Sequence, residues 1–276
     1  MSARRVREWP LAAGLSVPLF FVLAPFVWLL LSSLKSEMEI AVAAPFSMPD
    51  RLLFENYLDA WNIGGFGELV VNSLVNVALV VGLTLAVCAP AGYAFAKMQV
   101  PGGEAIFYVV LLGLTVPIQA IVIPLYKVLS ALGLLNTLAG ISLAQVGNGI
   151  PFGIFMMRSF FRGIPDELIE AAKIDGAGHA TILLRILLPV AKPAILALVV
   201  ISALSTWNDF FLPLVVLISP ESQTLPLGLV RFASTYSTEH RLVFSGTVVS
   251  FLPVVVLYML TQRRFTEGLT QGALKG

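Results

Sequence analysis

The sequence predicts an all-α membrane protein with six transmembrane helices, and three observations carry that expectation. Hydrophobic residues make up 58% of the 276 and charged residues only 12%, whereas soluble domains run at about 45–50% apolar and about 25% charged. The apolar residues, which raise the mean hydropathy to +0.90, fall into six stretches of the roughly 20 residues needed to cross a hydrocarbon core. Lys and Arg collect on alternate connections between those stretches, as expected of a multi-pass chain.

The first stretch, about 11–31, follows Arg4, Arg5 and Arg7 and is followed by "AVA" at 41–43, so it has some features of a secretion signal. Its apolar run is too long for one, and Lys35, Glu37 and Glu39 intervene before that tripeptide, so it reads as a retained helix. The second, about 69–92, contains Cys88 and also Asn72 and Asn76, four residues apart and hence on one helical face. The third, about 106–126, holds Pro117, Gln119 and Pro124, and the fourth, about 138–157, is interrupted by Gln145, Asn148 and Pro151. The fifth, about 194–218, carries Trp207, Asn208, Asp209 and Pro213, and the sixth covers about 242–262. Prolines remove backbone hydrogen bonds and kink helices; kinks suit a rocking transporter, but ordinary membrane bundles tolerate them too.

With six spans both termini share a side. That side collects Arg4, Arg5, Arg7, Lys97, Arg158, Arg162, Lys173, Arg185, Lys192, Arg263, Arg264 and Lys275, against Lys35, Arg51, Lys127, Arg231 and Arg241 on the other. The positive-inside bias puts both termini and the 158–193 loop in the cytoplasm, with the loops at about 32–68 and 219–241 outside. The acids of the first loop (Glu37, Glu39, Asp50, Glu55, Asp59, Glu68) count little in this rule.

Several function classes drop out. A net charge of +1 provides no basic field for nucleic acid. A single cysteine allows no disulfide within the chain, Cys88 reads as a small apolar filler, and no Cys/His cluster suggests a metal site. No GxxxxGK[ST] run is present, so the chain lacks a phosphate-cradling P-loop. His179 and His240 read as surface residues.

Polar side chains at membrane depth leave two readings open. Asn72, Asn76, Gln119, Gln145 and Asn148 either bond between helices or line a passage for a hydroxyl-rich solute. An ionised Asp209 at the centre of a helix in lipid costs roughly 2.5–3.5 kcal/mol, so it should face a partner or a watery path, beside Trp207 and Asn208. Trp207, Tyr93 and Tyr126 could stack on a sugar ring or anchor at the interface.

The loop "RSFFRGIPDELIEAAKIDGAGHATILLRILLPVAKP" at 158–193 reads as a helical hairpin. Pro165 suits a first helical position, Asp166 and Glu167 the first turn, and Gly176 the C-terminal cap, giving a helix over 165–175. Leu168, Ala171, Ala172 and Asp175 share one face of it. A second helix runs from about Ala180 until Pro189 limits it, with Ile182, Leu183, Ile186 and Leu187 as its apolar face. Small residues at the tip permit close approach of another surface, and a helix presented this way fits a groove on a partner protein; a hairpin packed on the membrane surface is the plainer alternative.

Glu170-Ala171-Ala172, Asp175-Gly176-Ala177, Leu188-Pro189 and Pro193 resemble the EAA motif of permease subunits in ATP-binding-cassette importers. "RSFFRGIPDELIEAAKIDGA" looks most like the carbohydrate-uptake, maltose-type branch, and "TWNDFFLPLVVL" and the terminal "RRFTEGLTQGALKG" extend the resemblance. That branch often has Glu where Asp209 stands, so acidity rather than exact geometry carries over. The resemblance implies the type I importer permease fold, a single transmembrane domain over 1–276, and a cytoplasmic coupling helix between spans four and five. It implies that Glu170, Ala171, Ala172, Asp175, Gly176 and Ala177 contact an ATPase subunit, with Glu170 pairing to a positive group there. It implies a non-catalytic subunit of a hetero-oligomer in the bacterial inner membrane. Its partners would be a second homologous permease, two ATPase subunits that bind the ATP and Mg, and an extracytoplasmic solute-binding protein. The tail at 263–276 reads either as a loose end or, as in some relatives, as a second contact with the ATPase pair. A secondary transporter driven by an ion gradient is the alternative; it would need internal repeats and an intramembrane ion site, and the sequence displays no clear repeat.

Overall fold

The computed structural model describes the backbone of residues 3–273 and the side chains of residues 18–256 and 259. The described residues are helical, with no strand among them. In chain order the helices are α1 (Ala3–Ser33), α2 (Glu37–Val42), α3 (Glu55–Gly64), α4 (Phe66–Lys97), α5 (Gly103–Leu112), α6 (Ile118–Ala131), α7 (Leu138–Arg162) and α8 (Glu167–Ile174). There follow α9 (His179–Thr181), a π-helical turn (Ile182–Leu187), α10 (Leu188–Val190), α11 (Lys192–Asn208), α12 (Phe211–Val216), α13 (Leu225–Thr235) and α14 (His240–Ala273). All six apolar stretches fall on helices. Two helices, α4 and α7, are long and apolar enough to cross a membrane unaided, and two bent pairs join them if each pair counts as one span. Pro18–Ser33 and His240–Val256 are shorter apolar helices in the first and sixth stretches. The tail continues α14 to Ala273, while Lys275 and Gly276 lie outside the described residues, as do the side chains of Arg4, Arg5 and Arg7.

The chain divides into two compact units, residues 1–67 with 228–252 and residues 68–227 with 253–276. The first unit ties the end of α1 to the start of α14 through the 32–68 loop. Ser36 and Glu39 form a reciprocal capping box on α2, and Glu39 also accepts the Asp50 N–H at 2.8 Å. Buried Asn56 donates to the Ser33 and Lys35 carbonyls at 3.0 Å each, satisfying acceptors at the end of α1, and receives Arg241 at 3.1 Å. Arg241 also pairs with Asp59 at 2.9 Å. Glu37 accepts the backbone N–H groups of His240 and Arg241 at 3.1 and 3.0 Å and so caps α14, where the helix dipole favours a negative charge. The tripeptide at 41–43 closes α2, with the Ala43 N–H on the Glu39 carbonyl at 2.9 Å.

In the second unit α4 and α7 cross closely because small residues line the contact. A Cβ added to Gly92 would lie 2.6 Å from Met157 Cβ, and one added to Gly153 would lie 2.5 Å from Cys88 Sγ. Cys88 is buried there as a small filler, as its setting in the sequence suggested.

The break in the third stretch falls at the expected Pro117, and the others depart from the sequence reading. The third stretch bends by 104° at Val116–Pro117, between the short 3-10 turn after α5 and α6. Pro124 and Pro151, also expected to interrupt their spans, sit inside continuous helices. The fifth stretch is two helices, α11 and α12, separated at Asp209, whose extended backbone (ψ 125°) ends α11 four residues before Pro213. The hairpin's second helix ends at Val190, one residue past the expected limit at Pro189, after shifting into the π register ahead of that proline. A π turn accommodates a residue with no N–H to give. The chain then bends by 80° into α11.

Candidate functional site

Helix α8 begins at Glu167, two residues later than expected, with Asp166 at the N-cap but making no side-chain cap bond. The Asp166 carboxylate pairs instead with Lys97 Nζ at 2.5 Å. Glu167 and Glu170 still occupy the first turn, on the favourable side of the helix dipole. The C-terminal stop is the one expected. Gly176 takes φ +78°, its N–H donates to the Lys173 carbonyl at 3.0 Å, and the Ala177 N–H donates to the Ala172 carbonyl at 2.9 Å. These two bonds form a Schellman closure, which requires a left-handed residue where glycine stands.

The helix has two different sides. Ile169 and Ala172 are buried in one core with Met157, Phe161, Ile164, Ile182, Leu187 and Leu198, so the hairpin shares its packing with the apolar stretches above it. Ile182, Leu183, Ile186 and Leu187 pack toward that core as the sequence suggested. Leu168 is 46% exposed and Ile174 86% exposed, with Ala171, Glu170, Asp175 and Gly176 on the open surface and Ala177 half-buried. The expected face of Leu168, Ala171, Ala172 and Asp175 is therefore corrected: Ala172 turns inward, and Ile174, three residues after Ala171, takes its place outside. The i, i+3 spacing of Ala171 and Ile174 was available as a signal for this.

Within the bundle, Asn76, Gln145 and Asp209 form a single network with Ser142. Asn76 Nδ2 donates to Gln145 Oε1 at 2.8 Å, and Ser142 Oγ donates to Asn76 Oδ1 at 2.8 Å. Gln145 Nε2 donates to Asp209 Oδ2 at 2.7 Å. The other Asp209 oxygen accepts the Phe211 N–H at 3.1 Å and faces the Leu212 N–H at 3.4 Å, so this carboxylate caps α12 at the break. Asn72 lies apart from this network and donates to the Glu221 and Gln223 carbonyls at 2.7 and 3.0 Å. Trp207 is buried; Asn208 is exposed and donates to the Leu204 carbonyl of its own helix at 2.9 Å. Gln119 and Asn148 are exposed and take no side-chain partner among the described residues. Ser142 was not foreseen, because a serine at membrane depth carries no distinctive pattern.

The model of a family described as the binding-protein-dependent transport system inner membrane component matches residues 78–271. The chain belongs to this family. It is similar to the diacetylchitobiose uptake system permease protein NgcG of Streptomyces coelicolor, 36% identical over 92% of this chain and 84% of that one. It is also similar to the arabinooligosaccharides transport system permease protein AraQ of Bacillus subtilis, at 33% identity over 95% of this chain and 96% of that protein. Its structure resembles a chain in a bacterial ABC transporter involved in the import of the acidic polysaccharide alginate. There the TM-score is 0.85 at 25% identity, covering 96% of this chain and 98% of that one. The architecture is the type I importer permease fold.

Arg158 is buried, donates to the Phe95 carbonyl at 3.1 Å, pairs with Glu104 and lies 3.7 Å from the Phe107 ring centroid. It thereby binds the end of α4 to the start of α5 and to α7, directly behind the hairpin.

Proposed function

We propose that this importer permease forms half of the passage for a carbohydrate across the bacterial inner membrane. Six spans would place both termini and α8 in the cytoplasm. The second half comes from a homologous permease, the loaded solute-binding protein docks outside, and two ATPase subunits bind ATP and Mg inside. ATP-driven closure of the ATPase pair pushes on α8, and alternating access follows as the bundle rocks. The oligosaccharides named for the two relatives support a sugar as the cargo.

The observation that carries this reading is the two-sided α8. Its inner residues, Ile169 and Ala172, belong to the bundle core, while Leu168 and Ile174 stand in the open beside Glu170 and Asp175. An exposed Ile and Leu at helical spacing fit a groove on a partner, and charges beside them fix register. In the same reading Gln119 and Asn148, whose amides have no partner in the described chain, face the passage. Asn76, Gln145 and Asp209 hold the walls rather than the sugar, because their hydrogen-bonding groups are spent on each other.

Uptake into proteoliposomes containing the complete set of subunits tests this. Accumulation should require ATP and survive an uncoupler of ion gradients. Accumulation by this polypeptide alone, or labelling of a cysteine at position 170 from the exterior, would overturn it.

A further inference from the structure

Two side chains one turn apart on α4 hold the two legs of the hairpin. Lys97 Nζ, on a side chain only 6% exposed, donates to the Ile164 carbonyl at 2.6 Å and pairs with Asp166 at 2.5 Å, just before α8 begins. Four residues earlier, the buried Tyr93 places its hydroxyl 2.9 Å from His179 Nδ1, just after the Gly176 turn. Residues four apart lie on the same face of a helix. One face of α4 thus grips the chain on both sides of α8, which itself makes no covalent connection to α4.

The covalent route out of the hairpin is less direct. Beyond α10 the chain bends by 80° before α11 begins, so a push on α8 does not run straight along the fifth stretch. The contacts with α4 have no such joint. The Asp166 side chain is 72% exposed and its pair is screened by solvent. The sheltered link is therefore the charge-assisted bond from Lys97 to the carbonyl of buried Ile164, and Ile169 and Ala172 sit in the core that includes Ala89 and Tyr93 of α4.

We propose that Lys97 and Tyr93 are positioning residues for coupling: together they fix α8 on α4, so that movement of α8 is delivered to the second span. The proposal rests on the coupling reading above and adds the route. Neither residue needs to touch the ATPase or the sugar.

The test uses the complete transporter in proteoliposomes, reading uptake per ATP hydrolysed for Lys97→Met, Tyr93→Phe, the double variant and Lys97→Arg. Tyr93→Phe removes one hydroxyl and keeps the packing, so at least one variant is safe from misfolding. The double variant should lower uptake per ATP by about tenfold, within the usual range of coupling between sites. Each single variant should lower it less, and Lys97→Arg should recover most of the loss. A double variant with the wild-type ratio overturns the proposal. So does a parallel fall in uptake and hydrolysis with Lys97→Arg no better than Lys97→Met, because that pattern marks mere structural support. Gly176→Trp run alongside separates the two levels. If it transports normally, the coupling reading has failed; if it uncouples while the double variant does not, only the clamp has failed.

Discussion

Gly176 supports a prediction in which backbone strain and partner contact can be measured separately. Its φ of +78° lies in the left-handed region, and a Cβ added there would meet nothing within 4 Å of this chain. A substituted residue therefore pays in the isolated permease only for its backbone. For an L-residue that is roughly 1–2 kcal/mol, with Asn paying less because its short polar side chain tolerates the conformation. Unfolding of the purified chain in detergent should follow φ alone: Gly176→Ala and Gly176→Trp each lose about 1–2 kcal/mol, and Gly176→Asn less. In the assembled transporter the order should instead follow size. Ala and Asn should retain most uptake, while Trp abolishes uptake and transport-linked ATP hydrolysis, since its ring must enter space that only a partner fills. If Gly176→Ala costs no stability, the strain argument fails. If Trp and Ala support equal uptake, no surface approaches the turn closely.

The core and the outer loop offer further tests. Replacing Asp209 by Leu should lower the thermal stability of the permease by about 1–3 kcal/mol, because it uncaps α12 and strands Gln145 Nε2. Asp209→Asn should cost less, since flips of Gln145 and Asn76 can satisfy the chain in reverse with Ser142 as the final acceptor. Gly153→Ala should destabilise the α4–α7 crossing by pressing on Cys88 Sγ at 2.5 Å, and Cys88→Ala in the same chain should recover part of that loss in a double-mutant cycle of melting temperatures. Burial alone would raise the pKa of Glu37, but the Arg241 N–H, the His240 ring and the His240 N–H outweigh it and hold the carboxyl below its ordinary 4.5. A depressed carboxylate contributes stability above its unfolded value and loses it as the pH falls through the folded one. The melting difference between the parent and Glu37→Gln should therefore be full above 4.5 and vanish at more acid pH.

What the sequence revealed followed from short-range rules. Each of the six apolar runs lies on helix, although only α4 and α7 are single helices of spanning length, and Gly176 announced the end of α8, because a left-handed cap is a local demand of the backbone. The breaks were less legible. Pro90, Pro151 and Pro253 lie inside continuous helices while Pro117 begins a new one after a 104° bend. A missing N–H is the same in all four, so the proline itself does not decide where a helix breaks. One partner at the Asp209 break is distant in sequence: one carboxylate oxygen caps α12, and the other accepts from Gln145, 64 residues away.

The amides illustrate the same limit from the side of function. Asn76 and Gln145 are indistinguishable in sequence from Gln119 and Asn148: all are amides in apolar stretches. An amide removed from water must find a partner or pay several kcal/mol. Asn76 and Gln145 find theirs in Ser142, Asp209 and each other, which makes them a brace across α4, α7 and the α11–α12 break. The exposed pair has no such use within the chain. Substituting Gln119 or Asn148 by Leu should therefore leave the melting temperature of the isolated permease nearly unchanged and raise the KM for sugar uptake in the assembled transporter. Replacing Asn76 or Gln145 by Leu should lower the melting temperature first. The reverse ordering would exchange the roles of wall and brace.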